Sequence, residues 1–167
     1  MSQDKNICYT DEVGVQAGVC ILFRQKRIKF SQEESDMKPS EEVKKMFEQD
    51  RFATDNGAYI EEVDDHYAKC SLNIEDRHKN AMGAVMGGVY FTLADFALAV
   101  ATNWQEMGSV SLDSQITYLS RAKGTKLTAE AVCVKNGRTT SYYRIDVKDD
   151  LGNLTAAVTA TSFRVEK

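Results

Sequence analysis

A single proline and two histidines stand in this chain of 167 residues, and its four cysteines form no Cys-x-x-Cys pair. So little proline, with only 10 glycines, excludes collagen-like and low-complexity chains. Two histidines and scattered cysteines (Cys8, Cys20, Cys70 and Cys133) argue against a structural zinc site and a disulfide scaffold. Free thiols in a reducing compartment are the plain reading. Basic excess is also missing: 21 Lys and Arg against 25 Asp and Glu give a net charge of −4, which speaks against a nucleic-acid binder. No apolar run reaches the roughly 18 residues of a membrane span. The apolar stretch Val13 to Phe23 follows Asp11 and Glu12 rather than a basic flank, and no small-residue cleavage site closes it. It is therefore not a secretory signal, and a cytoplasmic protein is expected.

What is present is ordinary for a globular protein: 43% hydrophobic and 28% charged residues, at a length that suits one domain with at most an appendage. Residues 1–36 read as that appendage. They hold the apolar patch, a basic cluster (Arg24, Lys26, Arg27, Lys29) and then Ser31 to Asp36. A membrane-surface or partner-binding segment is one reading of such a composition. The better fit is a leader or extension outside the native protein. Gln32-Glu33-Glu34 can be encoded by a ribosome-binding sequence, and Met37 follows shortly as a start. Residues 37–167 then form a single domain.

From Met37 the pattern is regular. Pro39 and Ser40 before Glu41 and Glu42 suit a helix start, and Val43, Met46 and Phe47 share one face. Ala58 to Val63 and Tyr67 to Ile74 alternate as strands, with Asp64-Asp65 as their turn. Gly87 to Asn103 reads as a helix that is apolar nearly all round, and so buried on most sides. Four alternating segments follow, beginning with Ser109 to Ser120, which places Val110, Leu112, Ile116 and Tyr118 on one face. Asn136-Gly137 and Asp149 to Asn153 separate the later segments, and Asn-Gly is a strong hairpin signal. The expected fold class is α+β, one long antiparallel sheet curled around a single buried helix.

Asp95 is the only charged residue between Lys79 and Glu106, at the middle of that helix. A buried carboxylate must be hydrogen-bonded, neutralised or functional; otherwise the residue faces the helix's one wet side. Gly83, Gly87 and Gly88 lead into the same helix, where backbone N–H groups can meet an anion or a developing oxyanion. Close helix–sheet packing also favours glycine. A carboxylate two turns beyond a glycine-rich helix start suggests a water activator facing an oxyanion site. There is no Gly-x-Ser-x-Gly elbow and no P-loop, and His66 and His78 read as surface residues. Arg121, Lys123 and Lys126, with Arg138 at the next hairpin, form either a solvated face or a dock for phosphates. Tyr59, Tyr67, Tyr90, Phe91, Phe96 and Trp104 fit an aromatic-lined pocket and core packing equally well.

The stretch from His78 to Asp95, with Asn80, Gly83, Met86-Gly87-Gly88 and the acid at this spacing, resembles the signature of hotdog-fold acyl-CoA thioesterases of the PaaI (phenylacetic-acid-pathway) type, a group similar to 4-hydroxybenzoyl-CoA thioesterases. Ser109 to Ser120, Asn136-Gly137-Arg138 and the closing strand through Phe163 are similar to the family's course as well, so the likeness covers about residues 45–166. It implies a sheet wrapped around the helix and a homodimer, expected as a dimer of dimers, whose active sites lie between subunits. It implies that Asp95 activates water or attacks the thioester. Gly87 N–H, with Asn80 from the same subunit, polarises the carbonyl, and Ser111 assists near the acid of the partner subunit. Met86 and Gly88 border the substrate, and Arg121, Lys123 and Arg138 meet the CoA moiety. No cofactor or metal is implied, since CoA is part of the substrate.

The departure is Met86, where the family has His. A thioether donates no hydrogen bond, but its flexibility suits an acyl pocket. The rival class is therefore a non-catalytic acyl-CoA-binding module that lost the His. A hydratase of the same fold is weaker, because neither histidine sits on the helix.

Overall fold

The computed structural model describes residues 37–165, and the leader expected at 1–36 lies outside them. Ser40 adopts an extended conformation and its Oγ accepts the Val43 N–H at 3.3 Å, capping helix α1 (Glu41–Phe47). Val43 and Phe47 are buried, and the Phe47 ring meets Phe96 edge-on at 6.1 Å. Next comes α2 (Arg51–Thr54), which the sequence pattern did not reveal; a single turn is too short to display a period.

Strands β1 (Ala58–Asp64) and β2 (Tyr67–Asn73) form an antiparallel hairpin. Its turn is Asp65-His66, one residue later than expected, with His66 left-handed at φ 60. One turn of 3-10 helix, Asp76–His78, and an irregular loop lead into α3 (Gly87–Asn103), which matches the expected helix. Strands β3 (Ser109–Tyr118), β4 (Lys126–Asn136), β5 (Thr140–Asp149) and β6 (Leu154–Arg164) complete one six-stranded antiparallel sheet in the order β1-β2-β4-β5-β6-β3. The β4–β5 hairpin forms where Asn136-Gly137 predicts it, through a loop of Gly137, Arg138 and Thr139. Gly137 is needed there for space, since a Cβ would stand 2.8 Å from the Thr140 carbonyl oxygen.

The sheet curls around α3. Leu93, Ala94, Ala97 and Val100 of the helix and Ala68, Cys70, Ala129, Ala131, Ile145 and Val147 of the strands are fully buried against each other. Each large apolar side chain buried in this way contributes about 1.5–3 kcal/mol, and the alanines let helix and sheet approach closely. Burial pushes the Cys70 thiol up, so it stays protonated.

Strand β3 departs from its expected alternation. Its register with β6 shifts between Ser111 and Asp113, so Leu112 is a bulge. Val110 and Leu112 are 53% and 63% exposed, and the expected apolar face is broken. The bulge turns Ser111 to the same side as Ile116 and Tyr118, towards α3. Asn103 bolts β3 to the helix: its Oδ1 accepts the N–H groups of Gly108 and Ser109, and its Nδ2 donates to the Ser109 carbonyl.

At the other end of the sheet, Asp149 is buried and gathers two loops. Its carboxylate accepts the N–H groups of Lys123, Gly124, Leu151 and Asn153 and the Asn153 amide. Burial opposes ionisation here, but the hydrogen bonds from Asn153, Lys123 and Gly124 outweigh it and hold the carboxyl well below the usual carboxylate range. A carboxyl with a depressed folded-state pKa stabilises the fold above its ordinary pKa and loses that contribution as pH falls through the folded-state value. Asp149→Ala should therefore cost about 3 kcal/mol at neutral pH, and the gap from wild type should shrink in acid. Urea unfolding at pH 7 and pH 3 checks this; an equal gap at both would contradict it.

Candidate active site

The loop before α3 is built by its own polar groups. Asn80 Oδ1 accepts the N–H groups of Met82 (2.9 Å) and Ala84 (3.1 Å), and the Asn80 N–H donates to the Ala84 carbonyl at 2.7 Å. With the oxygen engaged, the exposed amide presents its Nδ2 as a donor. Gly83 is left-handed at φ 70, which a side chain would resist.

His78, expected at the surface, is buried at 2% exposure. Its Nδ1 accepts the Glu75 N–H and its Nε2 donates to the Asn56 carbonyl, both at 2.9 Å, so the ring is the neutral Nε2–H tautomer. The two backbone partners satisfy the ring and tie the end of α2 to the loop. That explains its burial and removes it from the chemistry.

Met86 occupies the N-cap of α3 with no side-chain cap hydrogen bond and is 52% exposed. A thioether cannot do what Ser, Thr, Asp or Asn does there, so the Gly87 N–H opens the helix without a capping acceptor. The Tyr118 hydroxyl donates to the Gly87 carbonyl at 3.1 Å. A Cβ on Gly87 would lie 2.9 Å from that hydroxyl, so a side chain here would push the Tyr118 ring aside.

Asp95 lies on the exposed side of α3, so of the two placements open from the sequence, buried or on the helix's wet side, the second holds. Gly88, Phe91, Thr92, Asp95 and Ala99, spaced along one face, make the helix's open stripe. Ser111 Oγ donates to Asp95 Oδ1 at 2.9 Å within the same chain, so the resemblance's placement of Ser111 against the partner's acid is corrected. Asp50, at the N-cap of α2, shares a cleft with Asp95. Burial, and then the charge of Asp95, push the Asp50 carboxyl up. Eight residues separate Gly87 from Asp95, or about 12 Å along the helix axis. One chain therefore does not bring its own carboxylate to its own helix start.

The basic residues divide. Arg121 Nη2 donates to the Gly83 carbonyl at 3.0 Å and so braces the Asn80 loop, while Lys123 is exposed beside it. Lys126 is drawn to Glu61 at 2.9 Å. Arg138 is at the other end of β4, about 33 Å away along the strand, so it does not join Arg121 and Lys123 within the chain. Among the described residues, no three His, Cys, Asp or Glu side chains gather as a metal site, and no helix is long and apolar enough to cross a membrane. Asp50 and Tyr118 were not signalled by any motif; only their neighbours in space mark them.

Residues 82–156 match the model of the Thioesterase superfamily. The chain is 34% identical over 123 residues to a protein of Archaeoglobus fulgidus named "Putative esterase", covering 73% of this chain and 80% of that one. It shares 29% identity over 121 residues with acyl-coenzyme A thioesterase PaaI of Escherichia coli, covering 72% of this chain and 86% of the relative. The solved E. coli PaaI structure matches with a TM-score of 0.69 at 28% identity, over 73% of this chain and 89% of the other. A hypothetical thioesterase of Streptococcus pneumoniae solved with coenzyme A matches with a TM-score of 0.66 at 26% identity, over 72% of this chain and 98% of the other. The chain belongs to the thioesterase superfamily, as a hotdog-fold thioesterase of the PaaI type.

Proposed function

We propose that the protein hydrolyses acyl-CoA thioesters at a site shared by two chains, one supplying Asp95 and Ser111, the other Gly87 N–H and Asn80. The observation that carries this reading is the Ser111-bound Asp95 on the open stripe of α3, two turns from its own helix start. A two-fold copy lying antiparallel along that stripe brings each carboxylate to the other chain's glycine. Strand β3 supports the pairing: among the described residues it ends the sheet with an unpaired backbone edge, and Val110, Leu112 and Tyr118 lie more than half exposed along it. We extend the proposal to a dimer of such dimers in the cytoplasm, joined through the outer sheet face where Val132, Tyr142 and Phe163 are exposed.

In this mechanism Ser111 occupies Asp95 Oδ1 and leaves Oδ2 for water. Asp95 takes a proton as the water oxygen attacks the thioester carbonyl carbon. The charge developing on the carbonyl oxygen meets the Gly87 N–H and the Asn80 Nδ2. The tetrahedral intermediate collapses, the C–S bond breaks, and the proton held by Asp95 passes to the CoA thiolate. A thiol with pKa of about 8.5 leaves without a strong acid, so the absence of His at Met86 does not stop the reaction. In the nucleophilic variant of this route Asp95 itself attacks, and water then cleaves the anhydride. Arg121 and Lys123 border the loop and supply positive charge for the CoA phosphates.

A module that only binds acyl-CoA is favoured by Met86 and opposed by the Ser111–Asp95 bond, since a binder gains nothing from a positioned, exposed carboxylate. The two readings part when free thiol release is followed. Wild type should turn over acyl-CoA, and Asp95→Asn should lose about 10²–10⁴-fold in kcat with an unchanged melting temperature. Bound, intact thioester in both proteins would establish the module instead. Met86→His should leave kcat unchanged or raise it in the same assay; a large fall would show that the thioether itself is needed.

A further inference from the structure

The far end of β3 reaches back to the start of α3, where the donors of the site stand. Tyr118 Oη donates to the Gly87 carbonyl at 3.1 Å, and the ring itself lies on that glycine. A Cβ there would come 2.9 Å from the hydroxyl and 3.0 Å from the ring carbon that bears it. Tyr90, in the first turn of the helix, meets the Tyr118 ring edge-on with centroids 6.1 Å apart. Tyr90 is buried, and its hydroxyl accepts the Ala122 N–H at 3.3 Å, just past the strand. Arg121 Nη2 meanwhile holds the Gly83 carbonyl at 3.0 Å. Residues 118–122 therefore grip the loop and the helix start at three points.

Packing does not call for the hydroxyl. A phenylalanine would make the same ring contacts with Gly87 and Tyr90, and the Gly87 carbonyl, as the first of α3, already faces the helix's own N–H ladder. Tyr118 is 54% exposed, so water would satisfy a hydroxyl turned away from the helix. What the bond adds is restraint. Met86 gives the helix start no side-chain cap, and Gly87 and Gly88 have no side chain to limit their torsions. The geometry points to Tyr118 as a positioning residue of the hydrolytic site: its hydroxyl anchors Gly87 by the carbonyl, so that the Gly87 N–H stays aimed at the oxygen of the tetrahedral intermediate. A donor fixed beforehand needs no reorganisation as charge develops on that oxygen. Tyr118 acts through the backbone of its own chain, so the role does not depend on how the second chain is seated. This inference rests on the acyl-CoA hydrolase reading above.

Tyr118→Phe removes the hydroxyl and keeps the ring. With acetyl-, hexanoyl- and benzoyl-CoA its kcat should fall about tenfold in each case, at unchanged KM. The melting temperature should stay within about 2 °C of wild type. The loss should be uniform because all three thioesters present the same carbonyl to the donors. An unchanged kcat would overturn the inference while leaving the hydrolase reading intact. So would a loss that appears in KM, or one that accompanies a lowered melting temperature, since either makes the hydroxyl a substrate or stability contact. Should wild type turn over none of the three, the hydrolase reading falls, and the infrared band of hexanoyl-CoA, isotope-labelled at the thioester carbonyl, decides instead. A band shifted to lower frequency on wild type, and shifted less on Tyr118→Phe, supports the positioning of the donor. The same band on both proteins, or no bound thioester, overturns it.

Discussion

A helix that carries apolar residues around nearly its whole circumference must be sheathed, and the sheathing of α3 governs the rest of this molecule. The sheet wraps it with rows of alanine and branched side chains, Ala68, Ala129, Ala131, Ile145 and Val147 among them, all fully buried. The stripe of Gly88, Phe91, Thr92, Asp95 and Ala99 is left open. The polar groups of the candidate site are arranged along that stripe or at its ends: the uncapped helix start, the Asn80 loop braced by Arg121, and Asp95 held by Ser111.

The rise of the helix sets the second condition. Carboxylate and helix start, about 12 Å apart on one axis, cannot meet on the same carbonyl. In the proposed dimer the same distance, read across a two-fold axis, lets two antiparallel helices form two sites. The bulge at Leu112 belongs to this arrangement. It aims Ser111 inward at the acid and leaves Val110 and Leu112 exposed along an edge that is unpaired among the described residues, the edge assigned to the second chain in the proposed dimer.

Much of the fold was legible because its elements obey simple periods. The Ser40 cap, the limits of α3 and the strands flanking Asn136-Gly137 and Asp149 to Asn153 all appear in the sequence. So do Gly87 and Asp95 as residues of interest, since a lone acid in an apolar helix behind a glycine run is conspicuous, while Asn80 stands out only through the family resemblance. What escaped has a physical reason in each case. The α2 helix is one turn long and has no period to show, and it carries Asp50 at its cap. His78 is buried because two backbone groups, on Glu75 and Asn56, satisfy its ring, and no local pattern announces the Asn56 partner 22 residues away. Arg138 seemed to belong with Arg121 and Lys123 because hairpins are adjacent in sequence, but a strand of 11 residues separates its two ends widely. For Asp95 composition left both a buried and a wet-side placement open, and the helix turns its one charged residue to its open side.

The central claim is that carboxylate and oxyanion donor come from different chains. Mixing two inactive variants, Asp95→Asn and Asn80→Ala, as differently tagged chains tests it most directly. In a mixed pair one site carries both lesions and the other carries neither, so random association should restore about a quarter of wild-type acyl-CoA hydrolysis. If activity stays at the level of the two parents, both residues act within one chain, and the shared site proposed here is wrong.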